Sequence, residues 1–470
     1  MRLTRLLLAL GLLAPRLQAA IEVKVSGGNL AEVAPVISRP QLPFLPPAVS
    51  LGVEVPAGGL VLPSPQIDPP IELSAAPIGA TPTPQANGAD AAVPLATAQA
   101  APLAVDAPAL VFDGANALSA FVPEPGPVLT APQLVKQGLA RVKLLAQRAA
   151  TFPAHVWPFT SVARKISHGE GLAGLAPASA VRAAQQIQSE HGAGAVIGRL
   201  SWELHDIWSV RAAARSYAKL IDAAARAKSS NPKLDVAVSL DVEALGGQLD
   251  GLSVSERARI AKANAVALAR RARDLGVRVE FDVGASALLP LLSQVSHAVV
   301  RELGVPARLA LAARYLASED ALGDWAALAR ETGLKLGVRL VKGSFIEADQ
   351  PGTLYLRREL LDQYKKLVTQ ALGEGDALDI AVATQNEEIW RHARAESERL
   401  KTPVSFQTIR GVNADVQASM RASGNVPREY VSYGIDTPVM AVMEWWTNWR
   451  QKRALRRRFY GEGEGKGELD

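Results

Sequence analysis

Eight short apolar runs joined by stretches of helical periodicity constrain the fold more than any other feature of this chain. The runs are Ala195–Leu200, Asp235–Asp241, Val277–Val283, Arg308–Ala313, Leu336–Lys342, Asp379–Thr384, Pro403–Gln407 and Glu429–Tyr433. Each is too short for a helix and rich in aliphatic residues, so each is read as a buried strand. Helical periodicity predicts helices at Gln133–Arg148, Ala178–Glu190 and Trp208–Lys228 before and between the first strands. Later helices are expected at Ser255–Leu275, Ala287–Glu302, Ala321–Thr332, Thr353–Leu372, Asn386–Leu400 and Ala414–Ser423. Strands recurring every roughly 25–45 residues with helices between them fit an α/β fold, a (β/α)8 TIM-like barrel with N-terminal helices. An open doubly wound sheet fits less well, because no GxGxxG turn follows the first strand.

Outside residues 133–460 the composition changes. Arg2 and Arg5 precede an apolar run from Leu6 to Leu13 and then Gln18-Ala19-Ala20, the pattern of a signal peptide over residues 1–20. Export to a bacterial periplasm or cell envelope is the expectation; an N-terminal helix of a cytoplasmic protein is the alternative. Residues 21–132 are Pro/Ala-rich and poor in charge, with Pro46-Pro47, Pro69-Pro70 and Thr81-Pro-Thr-Pro84. Proline at this density interrupts helices and sheet ladders alike, so a disordered or polyproline-like tether is expected, with a small β-module as the alternative. The Gly/Glu-rich tail 461–470 is expected to be disordered.

Composition also excludes several chemistries. With no Cys there are no disulfides, thiolate metal sites or Cys nucleophiles. His155, His168, His191, His205, His297 and His392 show no metal-type spacing. A net charge of +5 over 470 residues is too diffuse to argue for nucleic acid.

In a barrel of this kind the chemistry lies at the C-terminal ends of the strands. Those ends carry Asp241, Asp282, Arg339 with Lys342, Thr384-Gln385-Asn386, Gln407 and Tyr430. Val338-Arg-Leu-Val-Lys-Gly343 is the most informative of them. An Arg buried in a strand requires an anion or an electron-rich ring, because an unpaired buried charge is too costly to keep. Gly343 lets a ligand approach the backbone closely. Gln407 is a buried amide in need of partners. For Asp241 and Asp282 a capping role stays open, and for Thr384-Gln385-Asn386 a simple turn.

The order Val338-Arg-Leu-Val-Lys-Gly-Ser344, Ala383-Thr-Gln-Asn386, Phe406-Gln-Thr-Ile-Arg-Gly-Val412 and Tyr430-Val-Ser-Tyr-Gly434 resembles the proline dehydrogenase family over roughly residues 180–450. That resemblance implies a distorted (β/α) barrel holding FAD, which oxidises L-proline to pyrroline-5-carboxylate and passes electrons to a membrane quinone. It implies that Arg339 lies near the flavin N5 edge. Val341, Lys342, Gly343, Ser344, Thr384, Gln385 and Gln407 would line the cofactor, and Asp282 and Tyr430 would shape the substrate pocket. Cations beside the ring would favour the reduced, anionic flavin.

The departures from the family pattern are specific. The Arg-Arg pair expected to bind the substrate carboxylate falls on Met443-Glu444, unless a shifted register brings in Arg450 or Arg453. A strand-end Lys falls on Asp241, a Tyr on Phe345, and a flavin-contacting Gln on Ala313. Three readings therefore stand: a divergent proline dehydrogenase, a related FAD enzyme acting on an amine without a carboxylate, and an exported barrel that serves as a binding scaffold. Trp445, Trp446 and Trp449 ahead of a basic stretch suit either a peripheral membrane contact or a core-facing helix with a solvated basic side.

Overall fold

The computed structural model describes residues 129–151, 172–200, 204–282, 284–343 and 350–434. The expectations for residues 1–20, 21–128 and 461–470, for Ser344 and Phe345, and for Met443 through Arg453 lie outside the described residues.

Eight parallel strands close into a barrel in sequence order. They are β1 (Ala195–Arg199), β2 (Val236–Asp241), β3 (Arg278–Asp282), β4 (Arg308–Ala312), β5 (Leu336–Val341), β6 (Leu378–Ala383), β7 (Val404–Ile409) and β8 (Arg428–Tyr433). β1 pairs with β2 on one side and with β8 on the other, which closes the cylinder and leaves no sheet edge. Two helices precede the first strands, α1 (Ala131–Thr151) and α2 (Pro177–His191). The outer ring continues with α3 (Ile207–Ser230), α4 (Val254–Asp274), α5 (Leu289–Leu303), α6 (Ser318–Thr332), α7 (Arg357–Gly373), α8 (Glu387–Leu400) and α9 (Ala414–Ala422). All eight expected strands and nine expected helices are therefore present, shifted by a few residues at their ends. The largest shift is at α7, expected from Thr353 but beginning at Arg357. Thr353 bridges to Tyr315, and the Leu354 N–H donates to the Arg314 carbonyl at 2.8 Å, so this segment is extended before the helix starts.

Local chemistry explains where the helices begin. The Asp206 carboxylate accepts from the Ser209 N–H at 2.8 Å, and the Asn386 side chain accepts from both Glu388 and Ile389. Ser253 and Glu256 form a reciprocal capping box ahead of α4. Gln137 ties α1 to the barrel by accepting from the Ile207 N–H at 2.7 Å and donating to the Asp250 carbonyl.

Side chains alternate along each strand, so the two faces of the barrel wall differ in chemistry. Ile197, Val238, Leu240, Phe281, Val338, Leu340, Phe406 and Val431 point outward into the apolar layer shared with the helices. Polar stitches cross that layer: Trp325 donates its indole N–H to the Gly337 carbonyl at 2.8 Å, and Tyr364 donates to the Leu340 carbonyl at 2.6 Å. The inward set is mostly small or charged, with one amide and one phenol: Gly198, Ala237, Ser239, Glu280, Ala310, Ala312, Arg339, Ala381, Gln407 and Tyr430. Barrels of this class are usually filled by branched aliphatics. Here the axis is left to ion pairs and to a site.

Candidate active site

Arg339 on β5 is the centre of the inward set and is 2% exposed. Its Nη1 donates to Glu280 at 3.1 Å, and its Nη2 donates to Asp282 at 2.7 Å and to the Ser239 hydroxyl at 3.4 Å. The Tyr430 ring lies 5.3 Å from the guanidinium carbon, in cation–π range. The Tyr430 hydroxyl donates to the second oxygen of Asp282 at 2.8 Å, and Ser239 donates to the same oxygen at 3.2 Å. Both kinds of partner that a buried Arg requires, anion and ring, thus come from the chain itself, where the sequence alone pointed to a ligand.

Register explains how residues on four strands meet. Ala310 on β4 pairs with Arg339 on β5, and a methyl group there leaves the guanidinium room to reach across β4 to β3. On the opposite wall, a Cβ added to Gly198 would lie 1.9 Å from the Tyr430 hydroxyl oxygen. Only a glycine lets that phenol stand against β1. Gly343 is constrained in another way: its φ of +94° favours glycine, and an added Cβ would crowd the Arg314 Cβ at 3.1 Å.

Glu280 was not singled out by the sequence reading. Its carboxylate bridges two buried arginines, accepting from Arg308 Nη1 at 3.1 Å on one oxygen and from Arg339 on the other. Arg308 is also paired with Asp379. A chain of alternating charges therefore runs through the barrel as Asp379, Arg308, Glu280, Arg339, Asp282. The signal was present in Arg278-Val-Glu-Phe-Asp282, where period-two spacing puts Glu280 on the same face as Asp282.

The electrostatics follow the geometry. Burial opposes the charge on Arg339, but the Asp282 and Glu280 carboxylates raise its pKa above the usual arginine value. Burial first, and then the Asp282 carboxylate, push the Tyr430 phenol well above its ordinary range, so it stays a donor at neutral pH. Asp241 at the end of β2 accepts from the Glu243 N–H at 2.9 Å. Burial and the nearby Glu243 and Asp282 carboxylates hold its carboxyl well above the usual range. An acid whose pKa is raised by folding contributes stability at low pH and loses it as pH climbs from about 4 toward the folded value. Asp241→Asn is therefore expected to be more stable than the parent at neutral pH, with a flatter dependence of stability on pH, as read by urea unfolding at several pH values. Equal stability of the two proteins at neutral pH would contradict this account.

The other expected site residues divide clearly. Gln407 is 1% exposed, and neither its amide nitrogen nor its amide oxygen has a partner among the described residues. Val341 is half-buried at the end of β5, and Ala313 is fully buried. Lys342 is exposed just beyond β5 and does not share the buried environment of Arg339. Thr384 accepts from the Asn386 N–H at 3.0 Å in a turn leading into α8. Gln385 uses its amide N–H groups on the Ile409 and Val412 carbonyls, bracing the loop after β7.

A family model described as proline dehydrogenase matches residues 183–443, more than half of the 470-residue chain. This chain belongs to the proline dehydrogenase family. No curated protein matches its sequence. Among solved structures it is similar to proline utilization A (PutA) from Bdellovibrio bacteriovorus inactivated by N-propargylglycine. The TM-score is 0.55 at 18% identity, covering 72% of this chain and 37% of that one. A mutant PutA from Bradyrhizobium japonicum gives 0.51 at 18% identity over 65% of this chain and 32% of its own. A PutA described as having proline bound in remote sites gives 0.51 at 18%, over 66% and 33%. At that identity the likeness is one of fold, and this proline dehydrogenase family chain spans about a third of the length of those proteins.

Proposed function

We propose that the chain is an FAD-dependent oxidoreductase that oxidises L-proline to pyrroline-5-carboxylate. The observation that carries this reading is the Arg339–Asp282–Tyr430 cluster inside a barrel of the proline dehydrogenase family. The residues present fit a flavin in two respects. Gln407 offers a buried amide donor and acceptor that the described protein leaves unpaired, and such groups are rarely left without partners. Gly343, with no Cβ and a φ of +94°, presents bare backbone just past the end of β5. Arg339, Val341, Lys342, Gly343, Ser344, Thr384, Gln385 and Gln407 would hold the cofactor. FAD, when bound, would accept a hydride, with its electron pair, from the substrate's carbon, while the amine nitrogen releases a proton.

The chain's own residues orient and exclude. Arg339 keeps a fixed positive charge beneath the site, held by two carboxylates so that it needs no reorganisation. Asp282 is locked by Arg339, Ser239 and Tyr430, and the neutral Tyr430 forms a rigid wall of the substrate pocket. A second reading is an amine substrate without a carboxylate, for which the acidic groups Asp241 and Glu243 at the end of β2 would supply the counter-charge once a bound cation draws Asp241 into its ionised form. A quinone acceptor, a peripheral membrane contact and export through residues 1–20 complete the proposal.

Purified protein tests it directly. Yellow protein with flavin absorbance that bleaches anaerobically on adding L-proline is the expected result. Bleaching by a simple cyclic amine but not by proline would select the second reading. A colourless protein that takes up no added FAD would leave only a binding scaffold.

A further inference from the structure

We propose that Glu280 is a positioning residue that sets the charge Arg339 presents to the flavin ring. This rests on the reading that FAD binds against Arg339. Arg339 has two carboxylate partners, and they are not equivalent. Asp282 also accepts from Tyr430 and Ser239, and belongs to the pocket wall. Glu280 lies deeper, its side chain 3% exposed, and divides its two oxygens between Arg339 and Arg308 at 3.1 Å each.

The division makes Glu280 adjustable from below. Arg308 draws on Glu280 and on Asp379, whose side chain is 56% exposed, so water already screens that second partner. The more of Glu280's negative charge Arg308 takes up, the more positive Arg339 remains. Positive charge beside a flavin ring favours its two-electron-reduced form and its addition of anionic nucleophiles, through plain Coulomb attraction in a poorly screened interior. A purely structural Glu280 would affect folding and leave the ring untouched.

Two substitutions separate these roles because they push in opposite directions. Glu280→Gln keeps an oxygen for hydrogen bonding but removes the negative charge. The flavin midpoint potential is expected to rise, and sulfite, titrated by loss of the flavin band, to bind about tenfold more tightly. Arg308→Met removes the competing cation and leaves Glu280 wholly to Arg339, so the potential should fall and sulfite should bind more weakly. Glu280→Asp should restore the parent's potential in part. If Glu280→Gln fails to fold, which a thermal unfolding scan of the apoprotein would show, Arg308→Met carries the test alone. FAD-loaded variants whose potential and sulfite affinity equal the parent's would overturn the role of Glu280 while leaving the flavin assignment standing. A parent protein that takes up no FAD would overturn both together.

Discussion

Arg339→Met is expected to lower folding stability by about 3–5 kcal/mol and to abolish FAD uptake. The size of the loss comes from what the substitution leaves behind. Asp282 keeps the Tyr430 and Ser239 hydroxyl donors and, among the described residues, Glu280 keeps Arg308, so negative charge remains in the barrel without its central counter-ion. Removing one partner of a buried pair costs far more than the pair contributes in net terms, because the survivor has been taken out of water. Urea unfolding of the apoprotein measures the first effect, and quenching of free FAD fluorescence on titration measures the second. Adding Asp282→Asn to the variant should recover a part of the stability, since the orphaned charge is then gone. A single variant as stable as the parent would show that the Glu280–Arg339–Asp282 chain does not hold the barrel's interior.

Gly198→Ala should be the most damaging one-carbon change in the barrel, at about 2–4 kcal/mol. The added Cβ would stand 1.9 Å from the Tyr430 oxygen and 2.6 Å from the ring carbon that bears it. The phenol cannot swing away freely, because Asp282 holds its hydroxyl at 2.8 Å and Arg339 covers its face. Either the ring moves and the hydrogen bond to a carboxylate is lost, or β1 bows outward. Tyr430→Phe removes the oxygen that meets the new methyl group, so the double variant should be less destabilised than the sum of the singles. A coupling of about 1–2 kcal/mol in that double-mutant cycle is expected. Additive effects would mean that Gly198 and Tyr430 do not touch as described.

Much of this fold was legible before any coordinates. The alternation of short aliphatic runs with amphipathic stretches reports directly on burial, since each run must hide both faces and each helix only one. The mouth of the barrel was legible for the same reason: Asp241, Asp282, Arg339, Gln407 and Tyr430 interrupt or end apolar strands where polar side chains are costly without a purpose. Strand ends and the start of α7 were less accurate, because they depend on bridges such as Tyr315 with Thr353 between segments distant in sequence.

Partner choice was not legible. Arg339 announced that a buried cation needed an anion, but nothing near it in the chain named Glu280, which lies 59 residues away. Gln385 and Gln407 read alike in the sequence, yet Gln385 uses its amide N–H groups to brace the β7 loop and Gln407 has no protein partner among the described residues. Lys342 and Arg339, three positions apart on one run, ended in opposite environments. A strand's side-chain period of two is written locally, so the chain alone determined which residues face the axis and that the axis would be polar. Which of them pair across the cylinder is set by strand order, register and the small residues that leave room between them, such as Ala310 and Gly198. Those exist only once the barrel has closed.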